Sequence, residues 1–519
     1  MLLLSKVAIL SVLASFITIT VVVGHFATIP TTAEALEDKD WIASSKSWAD
    51  RTACRWLGIC GLSHALHPSA WDFDYPVPRS VGSGEKRPNS TSFWESGPDD
   101  FDSWDERELK LREVPEYVLK HAPYVHLFSQ EEFWPGDIAE HLIHTTPFLN
   151  YTPIFNPWRH PNLSNLGELN RFGKNVFLTS NDNVEQRPDW LGGEKNIPDL
   201  PPGEADPRKR PDYVPARHGR WSWRPETDPP DKDDPEFDEW WYAPEDGLSL
   251  DDDKMGNGNK TAVVKGQVKP KPKTDLRRRS EETAKKESAG GRSDAPVTLI
   301  VVDKGGGVVD AFWFYFYSYN LGNKVFNVRF GNHVGDWEHT VIRFYKGKPK
   351  AVFFSEHDDG EAYSWEAVEK IGERPVSYSA TGTHAMYATP GIHTYVLPFG
   401  LLHDATDRGP LWDPALNLRS YTYNATSDKL RASTANPRAP TSWFYFWGHW
   451  GDKFYALNDA RQYRFAGQYH YVNGPLGPRF KRLGRKKVCQ GRDEDHCRLK
   501  HWGRDGKGKR PQKKTPGGA

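Results

Sequence analysis

Residues 297–357 run VTLIVVDKGGGVVDAFWFYFYSYNLGNKVFNVRFGNHVGDWEHTVIRFYKGKPKAVFFSEH. β-Branched and aromatic residues crowd the apolar runs, and Gly or Gly/Asn pairs separate them. Such runs bounded by turn residues predict neighbouring strands of a buried sheet. Asp303-Lys304 before Gly305-Gly306-Gly307 has the glycine content of a phosphate loop. No Gly-Lys-Ser/Thr follows and the next element is a strand, so the segment reads as a β-turn. Between two of the strands, Asn332 to His339 (NHVGDWEH) places two carboxylates and two imidazoles in eight residues.

That cluster is the first place to look for function. Asp336 and Glu338 are two apart, so in an extended segment both project from one face. Their repulsion raises the pKa of one of them unless a cation or an Arg or Lys compensates. Carboxylates, an amide carbonyl and water are hard oxygen ligands suited to Ca²⁺ or Mg²⁺, and imidazoles admit Mn²⁺ or Zn²⁺. His357, with Asp358 and Asp359, lies in SEHDDGE on what reads as a neighbouring strand end. The competing reading has Asp336 and Glu338 bonded to turn amides or paired with Arg343 or Arg329. His384, in a small-residue turn, either extends the same pocket or is a satisfied core histidine. Arg408 and Asp413 lie in a loop able to close over a pocket. No Gly-x-Ser-x-Gly is present, so a serine hydrolase has no nucleophile elbow here.

Working outward, the chain has 519 residues with 21 Trp, 21 Tyr and 26 Phe against 3 Met, a helix-poor balance. A net charge of −1 supplies no global field for nucleic acid, so no nucleic-acid partner is expected. Val7 to Val23 is uncharged and mostly apolar behind a single Lys6. Residues 1–35 therefore read as a signal anchor, with a cleaved signal peptide as the alternative. Sequons at Asn89, Asn150, Asn162, Asn259 and Asn424 agree with lumenal exposure. Cys54 and Cys60 form one close pair and Cys489 and Cys497 another; four cysteines permit three disulfide connectivities.

Residues 36–110 are polar with scattered aromatics and read as an extended stalk. Leu109 to Ala122 predicts a short helix, Tyr124 to Phe128 a strand. Asp137 is a plausible N-cap for Ile138 to His144, with Glu140 placed as in a capping box. Asp137, Glu140, His141 and His144 share helical spacing, which suits either a ligand face or, more commonly, a solvated one. From about 191 to 295 the chain is rich in Pro and charge and reads as a disordered insertion, with Trp221, Trp223, Trp240 and Trp241 as candidates to dock back. Tyr363 to Ile371 predicts a short helix, Leu418 to Tyr423 and Ser442 to Trp447 strands. Residues 481–519 read as a basic, disordered tail.

DKGGGVVDAFWFYFYSYNLGN, FGNHVGDWEHTVIRF, AVFFSEHDDGEAYSWEAVEKIGERPV, THAMYATPGIHTYVLPFGLLHDATDRGPLWDP and NGPLGPRFKRLGRKKVC together resemble the fungal vacuolar protein sorting-associated protein 62 family. The resemblance spans roughly Glu116 to Cys489, outside the insertion. It implies a role in sorting proteins to the fungal vacuole, with sorting machinery or cargo as partners. A second, local resemblance joins WFYFYSYN, NHVGDWEH and FFSEHDDG to the necrosis- and ethylene-inducing (Nep1-like) secreted proteins. Those are β-sandwiches that hold a divalent cation and recognise sphingolipid head groups. On that pattern His333, Asp336, Glu338 and His357 fall at cation-site positions, and Asn320 stands where an aspartate is usual. Gly335 replaces the second histidine of the pattern.

The expectation is a mainly β fold: an antiparallel, jelly-roll-like β-sandwich at 111–480 with short helices, interrupted by the insertion. The function expected is a non-catalytic sorting factor of the secretory pathway or vacuole. Its alternatives are a divalent-metal-dependent binder of membrane lipid head groups and a metal-dependent hydrolase. The metal reading predicts that His333, Asp336, Glu338 and His357 converge in one cavity.

Overall fold

A computed structural model of the chain describes residues 32–66, 90–97, 103–154, 160–199, 207–216, 234, 236–243, 288–325, 328–394, 402–490 and 497–501. The N-terminal apolar segment lies outside these residues. Among the described residues no helix is long and apolar enough to cross a membrane.

The strands that organise the fold are, in chain order, β1 (Tyr124–His126), β2 (Val297–Gly305), β3 (Val308–Asn320), β4 (His333–Tyr345), β5 (Lys348–Glu356) and β6 (Asp359–Ser364). They continue with β7 (Arg374–Ser379), β8 (Met386–Tyr387), β9 (Leu411–Trp412), β10 (Leu418–Asn424), β11 (Lys429–Ala432) and β12 (Leu499–Lys500). The central sheet runs β11-β10-β2-β3-β4-β5-β6-β12. The β2–β3 hairpin turns through Gly305, Gly306 and Gly307, all at positive φ, as the glycine run predicts. A second sheet starts β9-β1-β7, with β8 paired to β7.

The fold is mainly β, as expected. Parallel contacts interrupt the antiparallel pattern where β10 meets β2, β12 meets β6 and β7 meets β1. Each joins strands far apart in sequence, which leaves chain enough for the long crossover a parallel pair requires.

Both faces of the central sheet are buried, which is why β3 and β4 read as near-continuous apolar runs. One face carries Leu299, Trp313, Tyr315, Ile342 and Phe354 and packs on Val125, Met386 and Trp412 of the second sheet. The opposite face carries Phe312, Phe314, Phe316, Trp337 and Val341. Short helices and aromatic turns cover it, with Ile138, Leu142, Trp443, Phe446 and Trp450 among them. Aromatic side chains of this size bring a large apolar area into a layer that has little regular structure of its own.

Several local expectations change. The expected stalk is folded at residues 32–66: helices α1 (Ala33–Ser44) and α2 (Trp48–Leu57) pack through Trp41, Ile42 and Cys54 on Leu457. The disulfides are local, Cys54–Cys60 and Cys489–Cys497. Leu109 to Ala122 splits into Glu106–Leu111 and Glu116–Lys120 around Pro115, which cannot continue a helix. Tyr363 to Ile371 is no helix; Tyr363 belongs to β6 and Lys370–Ile371 pairs with β7. Ser442–Tyr445 is a 3₁₀ turn rather than a strand.

Within the 191–295 insertion, a short helix α3 (Phe237–Trp241) docks Trp240 and Trp241 into the core. Trp221 and Trp223 lie outside the described residues. The start of the basic tail is also folded: Leu483 and Val488 are core residues, and β12 extends the central sheet. In both places a few large apolar side chains anchor sequence that is otherwise strongly polar.

Candidate functional site

Asp336 and Glu338 sit on β4 opposite Tyr317 and Tyr315 of β3, and both are buried. Asp336 Oδ2 lies 3.0 Å from His384 Nδ1. The other ring nitrogen, Nε2, lies 3.0 Å from the Phe133 carbonyl and 3.8 Å from Glu131 Oε1. With acceptors at both nitrogens, the imidazole is held doubly protonated. Burial pulls its pKa down, but Asp336 and Glu131 outweigh that and raise it to about 9. Tyr317 stacks flat on the ring at 3.7 Å between centroids. Glu131 in turn accepts the amides of Glu132, Phe133 and Gly382, and its pKa is lowered: burial pushes it up, and His384 with these amides pulls it further down.

Glu338 behaves differently. Burial, with the Asp336 charge adding to it against Lys481, raises its carboxyl to about 8. The Ser355 hydroxyl is hydrogen-bonded to it and also accepts the His339 amide at 2.8 Å. Burial thus favours the neutral form of Glu338.

A second pair lies at the rim. Asp404, fully buried, accepts from His357 Nε2 at 2.8 Å, Tyr387 Oη at 2.7 Å, Thr383 Oγ1 at 2.8 Å and Asn323 Nδ2 at 3.1 Å. Burial lowers the His357 pKa, and the Asp404 carboxylate reverses that to a net rise. His357 has φ 57°, the left-handed conformation that a two-residue hairpin turn between β5 and β6 calls for. Asp404 ties together three segments that are remote in sequence: the Asn323 turn, the Thr383–Tyr387 turn and the β5–β6 turn.

Of the residues singled out in the sequence, Asp336, Glu338 and His357 lie in one electrostatically coupled region. His333 is half-buried and donates from Nδ1 to the Gly335 carbonyl at 2.6 Å; burial lowers its pKa. Asn320 donates its side-chain amide to the Gly331 carbonyl at 2.9 Å. Among the described residues no group of three or more His, Cys, Asp or Glu side chains is placed to hold a metal ion. Arg343 and Arg329 do not serve these carboxylates: Arg343 pairs with Asp310, and Arg329 donates to the Gly322 carbonyl. Arg408 and Asp413 bond instead to Glu369 and Arg374.

Gly335 has a steric explanation. Its φ is +70°, and a Cβ there would stand 2.1 Å from the Trp450 carbonyl oxygen. A histidine cannot occupy this position while the Trp450 turn packs against β4. His141 Nε2 donates to that same carbonyl at 2.9 Å, so the imidazole of the short helix is a buried structural donor. Asp137 is its N-cap, accepting Ala139 N and Trp94 Nε1 at 2.8 Å each. His144 stacks on Trp190, and Glu140 pairs with Lys195. The four helix residues do not share one ligand site; His141 and His144 meet only at the Trp190 ring.

Three of the sequons fall on described residues. Asn150 accepts from Lys453 Nζ at 3.0 Å, Asn162 forms a turn with Ser164 N, and Asn424 one with Ser427 N. Asn89 and Asn259 lie outside the described residues.

The chain matches a family model described as vacuolar protein sorting-associated protein 62 over residues 285–460. Two Saccharomyces cerevisiae proteins are similar over most of its length. Vacuolar protein sorting-associated protein 62 is 31% identical over 420 residues, covering 74% of this chain and 70% of that protein. TDA6, whose name assigns it provisionally to vacuolar protein sorting, is 33% identical over 421 residues, covering 75% and 71%. No solved structure matches.

Proposed function

The chain belongs to the vacuolar protein sorting-associated protein 62 family, and from that premise we propose that it acts in vacuolar protein sorting as a non-catalytic binding protein of the secretory pathway. Sorting machinery or cargo is the partner. One observation carries the non-catalytic part: the acids and imidazoles of the cluster are bonded to one another or to a buried hydroxyl. Asp336 and Glu131 share His384, Glu338 holds Ser355, and Asp404 holds His357. Such a network fixes the loops it joins and so presents a preformed surface. The two local disulfides fit an oxidising compartment.

The test uses a strain lacking the gene and scores missorting of vacuolar hydrolases. Glu338→Gln copies the neutral acid and restores sorting; His384→Ala collapses the loop framework and does not. Failure of Glu338→Gln in a correctly folded protein contradicts the proposal and points to chemistry at the carboxylate. The competing metal reading has its own measurement. A Ca²⁺-dependent rise in melting temperature that disappears in Asp336→Ala would replace the framework by a cation site.

A further inference from the structure

Away from the buried cluster, a groove of about 660 Å³ opens between the start of the Val176–Ser180 strand, the turn after Ser442–Tyr445 and the Leu476–Phe480 segment. That volume suits a small-molecule ligand. Lys174, Asn175, Trp447, His449, Arg479 and Phe480 line it, and the lining contains no carboxylate. Trp447 and Phe480 are 44% and 42% exposed, where most aromatic rings among the described residues are buried.

The exposure is built into rigid backbone. The Trp447 amide donates to Asn170 Oδ1 at 2.8 Å. The next residue, Gly448, packs so tightly that a Cβ would stand 2.3 Å from the Val176 carbonyl. Phe480 ends a tight turn closed by its amide on the Gly477 carbonyl at 3.0 Å, and Gly477 is itself pressed against the Trp450 ring. These contacts fix the backbone that carries both rings.

The polar groups are equally fixed. His449 stacks on Phe177 at 4.4 Å and donates from Nδ1 to the Gly474 carbonyl at 2.6 Å. Burial lowers its pKa, so Nε2 is left as a neutral acceptor. Arg479 is anchored at one nitrogen by Asp428, which leaves it further donors. Lys174 is exposed and has no ion-pair partner among the described residues.

We propose that this groove binds a six-membered polyol ring bearing a phosphate, as in a sugar phosphate. Trp447 and Phe480 take the apolar faces of the ring. His449 Nε2 and the Asn175 amide take hydroxyls. Lys174 and Arg479 take the phosphate, whose charge the lining otherwise leaves unmatched. The proposal does not depend on the sorting function.

The test titrates the full chain by calorimetry with glucose 6-phosphate, myo-inositol 1-phosphate, glucose and inorganic phosphate. Phosphatidylcholine vesicles with and without a phosphoinositide form a separate arm. At least one ring phosphate is expected to bind about ten-fold or more tightly than glucose or phosphate alone. Trp447→Ala and Lys174→Glu are each expected to weaken it about ten-fold or more, with the melting temperature unchanged in Lys174→Glu because that side chain is exposed. Four results overturn the proposal: no binding of either ring phosphate, phosphate alone binding as tightly, affinity indifferent to Trp447→Ala, or binding confined to phosphoinositide vesicles.

Discussion

The β3–β4 strand pair carries a buried ion cluster at each end, and the two are made of different charge carriers. At one end Asp310 and Arg343 are cross-strand partners joined by two hydrogen bonds of 2.7 Å. Arg343 also donates to the carbonyls of Trp241 and Lys486, and Lys304 to those of Leu483 and Arg485. These carbonyls belong to the insertion helix and to the start of the basic tail. At the other end the cations are imidazoles, His384 and His357, and the carboxylates outnumber them. The guanidinium cluster staples two polar excursions of the chain onto the sheet, and its Arg343 keeps its charge at any ordinary pH. The imidazole cluster joins loops, and its strength depends on protons.

The largest effect should come from breaking the staple. Arg343→Met leaves Asp310 charged and buried and orphans the helix carbonyls, at a cost of about 3–5 kcal/mol in denaturant unfolding. Adding Asp310→Leu should recover part of that loss, because it removes a buried carboxylate that has lost both guanidinium hydrogen bonds and keeps only Lys304 at 3.7 Å. If Arg343→Met costs under 1 kcal/mol, the two ends do not differ as described.

His384→Gln comes next, and its cost depends on pH. The folded pKa of about 9 lies above the ordinary 6.5, so the contribution is fully present below about pH 6.5 and is lost as pH rises through 9. That difference of 2.5 units corresponds to about 3 kcal/mol. Lys304, lowered by burial to about 7, acts in the opposite direction. The readout is therefore the stability difference between wild type and His384→Gln, expected to shrink between pH 6.5 and 9. A difference independent of pH would place a neutral ring at this position.

Gly335→Ala should cost roughly 2–3 kcal/mol, through its left-handed φ and the closeness of the Trp450 carbonyl. A cost below about 0.5 kcal/mol would show that the Trp450 turn yields easily. Glu338→Gln should have the smallest effect, under about 1 kcal/mol at pH 7, since the amide replaces a carboxyl that is already protonated. A larger loss would show that Glu338 is ionised.

The sequence shows the sheet more clearly than it shows the site. Period-two and continuous apolar runs betray β2 to β5 because burial on both faces leaves few polar residues to confuse the pattern. The density of acids and imidazoles in NHVGDWEH marks Asp336 and Glu338, and SEHDD marks His357. Their partners are less legible. Glu131 and Asp404 come from segments 205 and 68 residues from Asp336, and each is an ordinary acid in a polar stretch. His384 was visible as a candidate, but nothing local says that it stands between two carboxylates. The folded parts of the stalk and the insertion are hard to read for a different reason, although Trp240 and Trp241 stand out as candidates to dock back. A handful of side chains, Trp41 and Ile42 in one and Trp240 and Trp241 in the other, order segments whose average composition is polar.

The imidazolium at His384 is the hinge of the account, and NMR of histidine-labelled protein observes it directly. The framework predicts two ring N–H protons on His384 at pH 7.5 and a titration midpoint near 9. A single protonated nitrogen at pH 7.5, with a midpoint at or below the ordinary 6.5, would contradict it.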